Sequence, residues 1–248
     1  MMAGAPPDEA NAPVRLAAMA AASTTIDVLD HGFVRLDAAL ADDLSVVNAA
    51  RVSFGARVDQ MDDRNAGLVR FLMRERHSTP FEHGVFRFHV KCPIFVAREW
   101  MRHRAGSYNE HSARYSELPD EFYVPTADDV RTQVGKPGSY RFEPVDDAVA
   151  EATRTALRES YRAAYEVYRG LIDRGVAREI ARMALPVGIY TQFHWTLNAR
   201  SLMNFLSLRN AESAQLEIRR FAEAVEQIFS EQMPVTHAAF VEFGRRAP

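Results

Sequence analysis

Residues Val85 to Cys92 alternate without a break: Phe86, Phe88, Val90 and Cys92 point one way, and Arg87, His89 and Lys91 the other. A strict period of two makes a strand with one buried and one wetter face, the signature of an antiparallel sheet. The second half of Tyr190 to Leu197 repeats it, with Phe193, Trp195 and Leu197 opposed to His194 and Thr196. Thr25 to Leu29, Asp30-His31-Gly32 and Phe33 to Leu36 read as strand, tight turn and strand. A short strand is expected over Glu121 to Pro125, and Gly135, Pro137, Gly138 and Pro144 mark a loop.

Helical signals fill the rest. Asp42 or Asp43 caps a helix through Val46, Val47, Ala50 and Val52, and Asp62 or Asp63 opens a second with Leu68, Phe71 and Leu72 as its buried stripe. Thr79, Pro80 and Glu82 form a helix-start pattern. Pro93 starts a helix carrying Ile94, Phe95, Ala97, Trp100 and Met101, on which Arg98 and Arg102 share a face. A long helix runs from Asp146 to Asp173, with Tyr161, Tyr165 and Tyr168 in its stripe and Gly175 ending it. Val176 to Leu185 is a further helix, broken by Pro186. Asn198 opens a helix burying Ala199, Leu202, Met203 and Leu206, and a final long helix, about Ala211 to Met233, buries Ile218, Phe221, Val225 and Ile228. With no internal repeat and no long linker, the expectation is one α+β domain over residues 25–248: a central, mainly antiparallel sheet flanked by long helices. Residues 1–24, rich in Ala and Pro, read as a variable, disordered extension.

Charge and cysteine content narrow the function. A net charge of −3 argues against a general polyanion binder, so any nucleic-acid affinity would have to come from a local patch, and no nucleic-acid partner is expected. The single cysteine, Cys92, excludes an intramolecular disulfide and a multi-cysteine metal site within one chain, and fits a reducing compartment. No apolar run approaches the roughly 20 residues of a membrane span. Arg15 to Ala22 has little positive charge before it and is read as tail rather than secretory signal. The cytoplasm is the expected location, without a membrane partner.

The densest chemistry lies in Arg102-His103-Arg104-Ala105-Gly106-Ser107-Tyr108-Asn109-Glu110-His111-Ser112-Ala113-Arg114-Tyr115. This run is too polar for a core strand and too irregular for an amphipathic helix. Arginine forks suit phosphate, serine and asparagine add neutral hydrogen bonds, and Glu110 can fix an arginine or a ribose hydroxyl. The plain alternative is a solvated loop of surface ion pairs. The apolar segment Pro93 to Met101 immediately before it argues for a placement against the core.

Three further polar clusters stand out: Arg51 with Ser53, His77 to His83, and Arg182, Asn198, Arg200, Asn204 and Arg209. Arginines interrupting apolar helices need partners, either Glu99, Glu110 or Glu179, or a bound anion. His77, Glu82, His83 and the Glu110-His111 pair lack any metal-ligand spacing, so no metal is expected. Cys92, at the end of a buried strand, reads as a packed cysteine rather than a nucleophile. There is no G-x-S-x-G, P-loop or G-x-G-x-x-G, so a nucleotide would be held by arginines and helix N-termini.

At these residues the chain resembles the flavin-dependent thymidylate synthases. Arg102-His103-Arg104-x-x-Ser107-x-Asn109-Glu110-x-Ser112-x-Arg114-Tyr115 matches that family's signature, and the likeness continues in Ala50 to Ser53, Thr79 to His83, Arg178 to Pro186, Asn198 to Leu206, Leu208-Arg209 and Ala214 to Arg219. The resemblance implies an FAD-dependent homotetramer with active sites shared between subunits. It implies reductive methylation of dUMP to dTMP, with 5,10-methylenetetrahydrofolate as carbon donor, NADPH as reductant and no cysteine nucleophile. By matching position, Thr79, Arg102, His103, Arg104, Glu110, Asn198, Arg200 and Asn204 would contact FAD, with Ser53 and His77 beside it. Glu99, Arg102, Glu110, His111, Ser112, Ala113, Arg114, Arg182 and Arg209 would contact the nucleotide, Arg209 as the catalytic group stabilising charge on the uracil ring. Two positions depart from the pattern: Ser213 stands where many members have histidine, and Glu99 where glutamine is frequent. The same chemistry on UMP is one alternative, and a non-catalytic nucleotide- or RNA-binding module is another.

Overall fold

A computed structural model describes residues 24–136 and 139–248. The N-terminal extension therefore lies almost wholly outside the described residues, as do Pro137 and Gly138. In chain order the elements are β1 (Thr25–Val28), β2 (Gly32–Leu40), α1 (Asp43–Arg51), α2 (Asp63–Arg74), β3 (Val85–Pro93), α3 (Ile94–Trp100), β4 (Ser107–Glu110), β5 (Arg131–Lys136), β6 (Ser139–Pro144), α4 (Asp147–Asp173), α5 (Arg178–Ala181), β7 (Tyr190–Asn198), α6 (Ala199–Arg209), α7 (Leu216–Gln232) and α8 (Pro234–Glu242).

The main sheet has strand order β1-β2-β3-β7-β4, with every pair antiparallel. The expected alternation places Phe86, Phe88, Val90, Cys92, Phe193, Trp195 and Leu197 in one core, where Val34 and Leu36 join them. Helices α1, α2, α3, α6, α7 and α8 contribute Val46, Val69, Trp100, Phe205, Phe221 and Phe240 to the same core. Burial of this apolar surface is the main force holding helices to sheet. The fold is thus the expected single α+β domain. Among the described residues no helix is long and apolar enough to cross a membrane.

The β1–β2 turn closes so tightly that a Cβ on Gly32 would lie 2.7 Å from the Lys91 and Val28 carbonyl oxygens. The caps behave as their chemistry dictates: Asp42, Asp62, Asp146 and Asn198 each accept a backbone N–H three residues on.

Several expectations are corrected. Phe71 is 42% exposed, whereas Val69 and Met73 are buried, so the inward face of α2 is rotated from the expected stripe. Thr79–Glu82 is a single 3-10 turn without a side-chain cap, because the chain enters β3 at once. Residues around Gly135 and Pro144 pair as the β5–β6 hairpin instead of forming a loop. Glu121 to Pro125 contributes one isolated bridge, Phe122 to Ile189. The Val176–Leu185 helix shrinks to α5 and a 3-10 turn, Arg182–Ala184. The last long helix begins later than expected, at Leu216, and Pro234 starts the separate helix α8.

Candidate active site

Trp100 sets the position of the site. Its ring is fully buried among Phe193, Trp195, Phe205 and Phe221, at centroid distances of 5.6, 5.2, 4.8 and 6.0 Å. Burial of so large a side chain pins the end of α3 against β7 and α6. The polar run leaves from that point. Its first part is a turn, and Ser107–Glu110 becomes edge strand β4 on β7. Tyr108 ties turn to strand by donating to the carbonyl oxygens of His103 (2.8 Å) and Trp100 (3.3 Å), and burial pushes its phenol up to about 12. At Gly106 the backbone passes close over Trp195, whose Nε1 would be 3.0 Å from any Cβ there.

A cleft of about 390 Å³ opens between this turn and α6, lined by Arg102, His103, Arg104, Ser201, Asn204 and Arg209. Arg209 ends α6 and is anchored on three sides. Its Nε donates to His103 Nε2 (3.0 Å), Nη1 to Glu99 Oε2 (3.1 Å) and Nη2 to the Glu99 carbonyl (3.3 Å). Burial, then the charges of Arg209 and Arg102, lower the His103 imidazole to about 4, so it is neutral at pH 7.

A second cleft, about 340 Å³, is lined by Arg98, Glu110, His111, Ala113, Arg182 and Thr191. Glu110 accepts from the Thr191 hydroxyl at 2.7 Å. The backbone N–H of His111 donates to the Gln192 carbonyl, and its ring lies 2.5 Å from the Ser116 hydroxyl. The Ser112 carbonyl accepts the Tyr115 N–H, while Arg114 lies over the Tyr115 ring and 3.5 Å from Glu179. The third cleft, about 630 Å³, brings together Ser53, His77 and Thr79 with Phe54, Phe71 and Arg76.

Most of the expected residues therefore assemble in three separate clefts of one chain. Glu99, Ser112, Arg114, Asn198 and Arg200 line none of them. Asn198 spends its side-chain oxygen capping α6, and Arg200 donates to the Pro248 carbonyl at 3.0 Å. Arg98 and Arg102 do not share a face, because α3 ends at Trp100 and Arg102 turns away into the cleft beside Arg209. Sequence reasoning missed Arg98 and Arg76 as lining residues. Arg98 carried a readable signal, since a cation on so apolar a helix needs an opening beside it.

One donor cluster was invisible to spacing. Asp37, His89 and His194, from three neighbouring strands, hold ligand atoms within 4.8 Å of one another. Asp37 stands at the β2 bulge between Leu36 and Ala38, which re-aims its side chain. Arg35 already serves the cluster, donating to Asp37 (2.8 Å) and contacting His89 Nδ1 (2.7 Å). A guanidinium in that position disfavours a cation, and we assign no metal there.

Comparison with known proteins identifies the architecture. The family model described as thymidylate synthase complementing protein matches residues 36–235. A flavin-dependent thymidylate synthase of Thermosipho africanus is 48% identical over 216 residues, covering 87% of this chain and 93% of its own. One from Thermus thermophilus is 47% identical over 218 residues, covering 88% and 78%. Crystal structures of a UMP/dUMP methylase from Streptomyces cacaoi, bound with 5-Br dUMP or 5-Br UMP, superpose with TM-scores of 0.83 and 0.82 at 43% identity. They cover 90% of this chain and 100% or 99% of theirs. With a family model spanning most of the chain, and relatives nearly half identical over 78% and 93% of their own length, this protein belongs to the flavin-dependent thymidylate synthases.

Proposed function

We propose that the protein methylates C5 of dUMP to give dTMP, with FAD as cofactor, 5,10-methylenetetrahydrofolate as carbon donor and NADPH as reductant. The observation that carries this reading is Arg209, fixed on three sides at the wall of a cleft that also presents Arg102, Arg104 and Asn204. Relatives with nearly half the same residues act on this class of nucleotide or are named for it.

The donor set fits both ligands. Arg102, Arg104, Ser201 and Asn204 supply the cationic and neutral donors that a dinucleotide's diphosphate and ring edges need. Ser53, His77 and Thr79, beside the apolar Phe54 and Phe71, suit a ring system with polar edges. Arg182, with the Glu110 to Arg114 segment, would hold the nucleotide phosphate. Bound flavin supplies the hydride, and the protein orients it. In balance, the donor's methylene carbon goes to C5, the C5 proton leaves, and NADPH with one proton provides the reducing equivalents.

Arg209 places a fixed positive charge where negative charge develops on the pyrimidine, an electrostatic contribution preorganised before reaction. Cys92 does not share the work. It is completely buried, and burial, then the nearby Glu110 charge, raises its thiol well above the ordinary range. A thiolate nucleophile is therefore disfavoured.

The scatter of the clefts supports reading the protein as an assembly. Large apolar side chains stand exposed on the cleft walls, Phe54 at 87% and Leu208, and close in sequence to cleft residues, Val52, Ile180, Met183 at 76% and Val187. Such surface next to functional residues marks an interface. We read it as a homotetramer in which clefts of different copies meet to form each active site. A cytoplasmic setting agrees with the free, buried cysteine.

A second reading keeps the chemistry and changes the sugar. The Streptomyces cacaoi relative was captured with 5-Br UMP as well as 5-Br dUMP. Turnover of dUMP against UMP by the flavin-loaded protein decides between them, and dUMP is expected to be preferred. A colourless protein with salt-dependent RNA affinity and no turnover would refute both.

A further inference from the structure

Arginine has five N–H groups. In Arg209 three are committed inside the protein: Nε to the His103 ring, one on Nη1 to the Glu99 carboxylate and one on Nη2 to the Glu99 carbonyl. Two remain, one on each terminal nitrogen, on a side chain only 16% exposed. A guanidinium held this way keeps little rotamer freedom, so ligand binding need not supply the cost of ordering it.

The Nε bond restricts the chemistry of its acceptor. An arginine N–H can only donate, so His103 Nε2 must present a lone pair and the ring proton must sit on Nδ1. The charged groups around this ring are Arg209 on α6 and Arg102 beside it, with Glu99 reaching the same guanidinium from α3. Phe205 closes its other side at 5.0 Å, edge to face, and Tyr108 fixes its backbone carbonyl. Protonation of His103 would remove the acceptor and set a third cation against Arg209 and Arg102.

We infer that Glu99 and His103 are positioning residues that aim Arg209 at the nucleotide, and that His103 does so only as a neutral acceptor. This rests on the role proposed above for Arg209. It gives Glu99 work at a position where glutamine, the residue frequent in the family, would keep one acceptor and lose the charge. It also gives His103 a duty separate from any contact with flavin.

A double-mutant cycle on the flavin-loaded protein tests the idea. His103→Ala, His103→Gln and Glu99→Gln are each made alone and together with Arg209→Ala. For each, the dissociation constant for dUMP is measured by calorimetry and turnover is measured per bound flavin. Loss of one charge-assisted hydrogen bond predicts that His103→Ala weakens dUMP binding or turnover by about tenfold to a hundredfold. His103→Gln, a neutral acceptor of similar reach, recovers most of that loss. In the Arg209→Ala background, where turnover is lost and the cycle is read through the dUMP dissociation constant, the same changes have no further effect on dUMP affinity. Equal losses with and without Arg209 would overturn the inference. So would a His103→Ala protein that merely loses flavin and turns over normally per flavin retained.

If the wild-type holoprotein binds flavin but turns over neither dUMP nor UMP, the functional reading fails, and histidine titration then decides on the cradle alone. In 15N-histidine spectra, the signal missing from His103→Gln should stay neutral to about pH 4 in wild type. It should titrate at higher pH in Arg209→Ala. An unshifted titration would show that Arg209 does not govern His103.

Discussion

Asp43, the first residue of α1, caps α8 from the other end of the chain. Its Oδ1 accepts both the backbone N–H (2.8 Å) and the hydroxyl (2.6 Å) of Thr236, and its Oδ2 accepts the Val235 N–H (2.9 Å). Both Asp43 and Thr236 are buried, Thr236 completely. The carboxylate satisfies N–H groups that the first turn of any helix leaves without partners. Asp43→Ala is expected to cost about 2–3 kcal/mol, because it strands these donors out of reach of water. Urea unfolding measures it, and an unchanged midpoint would refute the assignment.

Stability should fall as pH drops from about 6.5 to about 4. The His103 imidazole is lowered from 6.5 to about 4, by burial first and then by Arg209 and Arg102. Between those values the unfolded chain binds a proton that the folded chain refuses, so acid favours unfolding. Burial lowers His89 too, in the same direction. His103→Gln should flatten the dependence of melting temperature on pH in this window. An identical slope in the variant would exclude His103 as its source.

Arg209→Ala should abolish methyl transfer while flavin stays bound. A single preorganised charge of this kind is worth at least about a hundredfold in turnover. The flavin absorbance of the purified variant and its rate with dUMP are read on one sample. A near-normal rate would remove Arg209 from the chemistry.

Cys92→Ala should keep its activity. The thiol is sealed in the core between β3 and β7, and its only expected role is packing. A loss of about 1 kcal/mol in stability is expected from the small cavity left behind. Complete loss of turnover in a folded variant would reopen a thiolate mechanism.

What could be read from the chain follows from where its forces are local. The alternation in β3 and β7, and the aspartate and asparagine caps, are written in neighbouring residues, so the sheet core and the starts of α1, α2, α4 and α6 were legible. The β5–β6 hairpin was not, because Gly135 and Pro144, which read as loop markers, sit inside its two largely exposed strands. The α7–α8 break depends on Pro234 and on a cap supplied by Asp43, from far away in sequence. In the site, the polar run announced an anion, and the resemblance named the flavin. Neither revealed that Arg209 leans on His103, or that Ser53 and His77 open onto a different cleft from Arg209. Such relations are set by tertiary packing, for which residue spacing has no signal.

The division of the candidate residues among three clefts has a genetic consequence. If each active site draws on several copies, a lesion in one cleft and a lesion in another disable different contributions to the same site. Two inactive variants, Arg209→Ala and Arg182→Ala, should then complement when co-expressed. Some sites in the mixed assembly would receive an intact residue from each parent, and a host without its own route to thymidylate would grow on the pair but on neither alone.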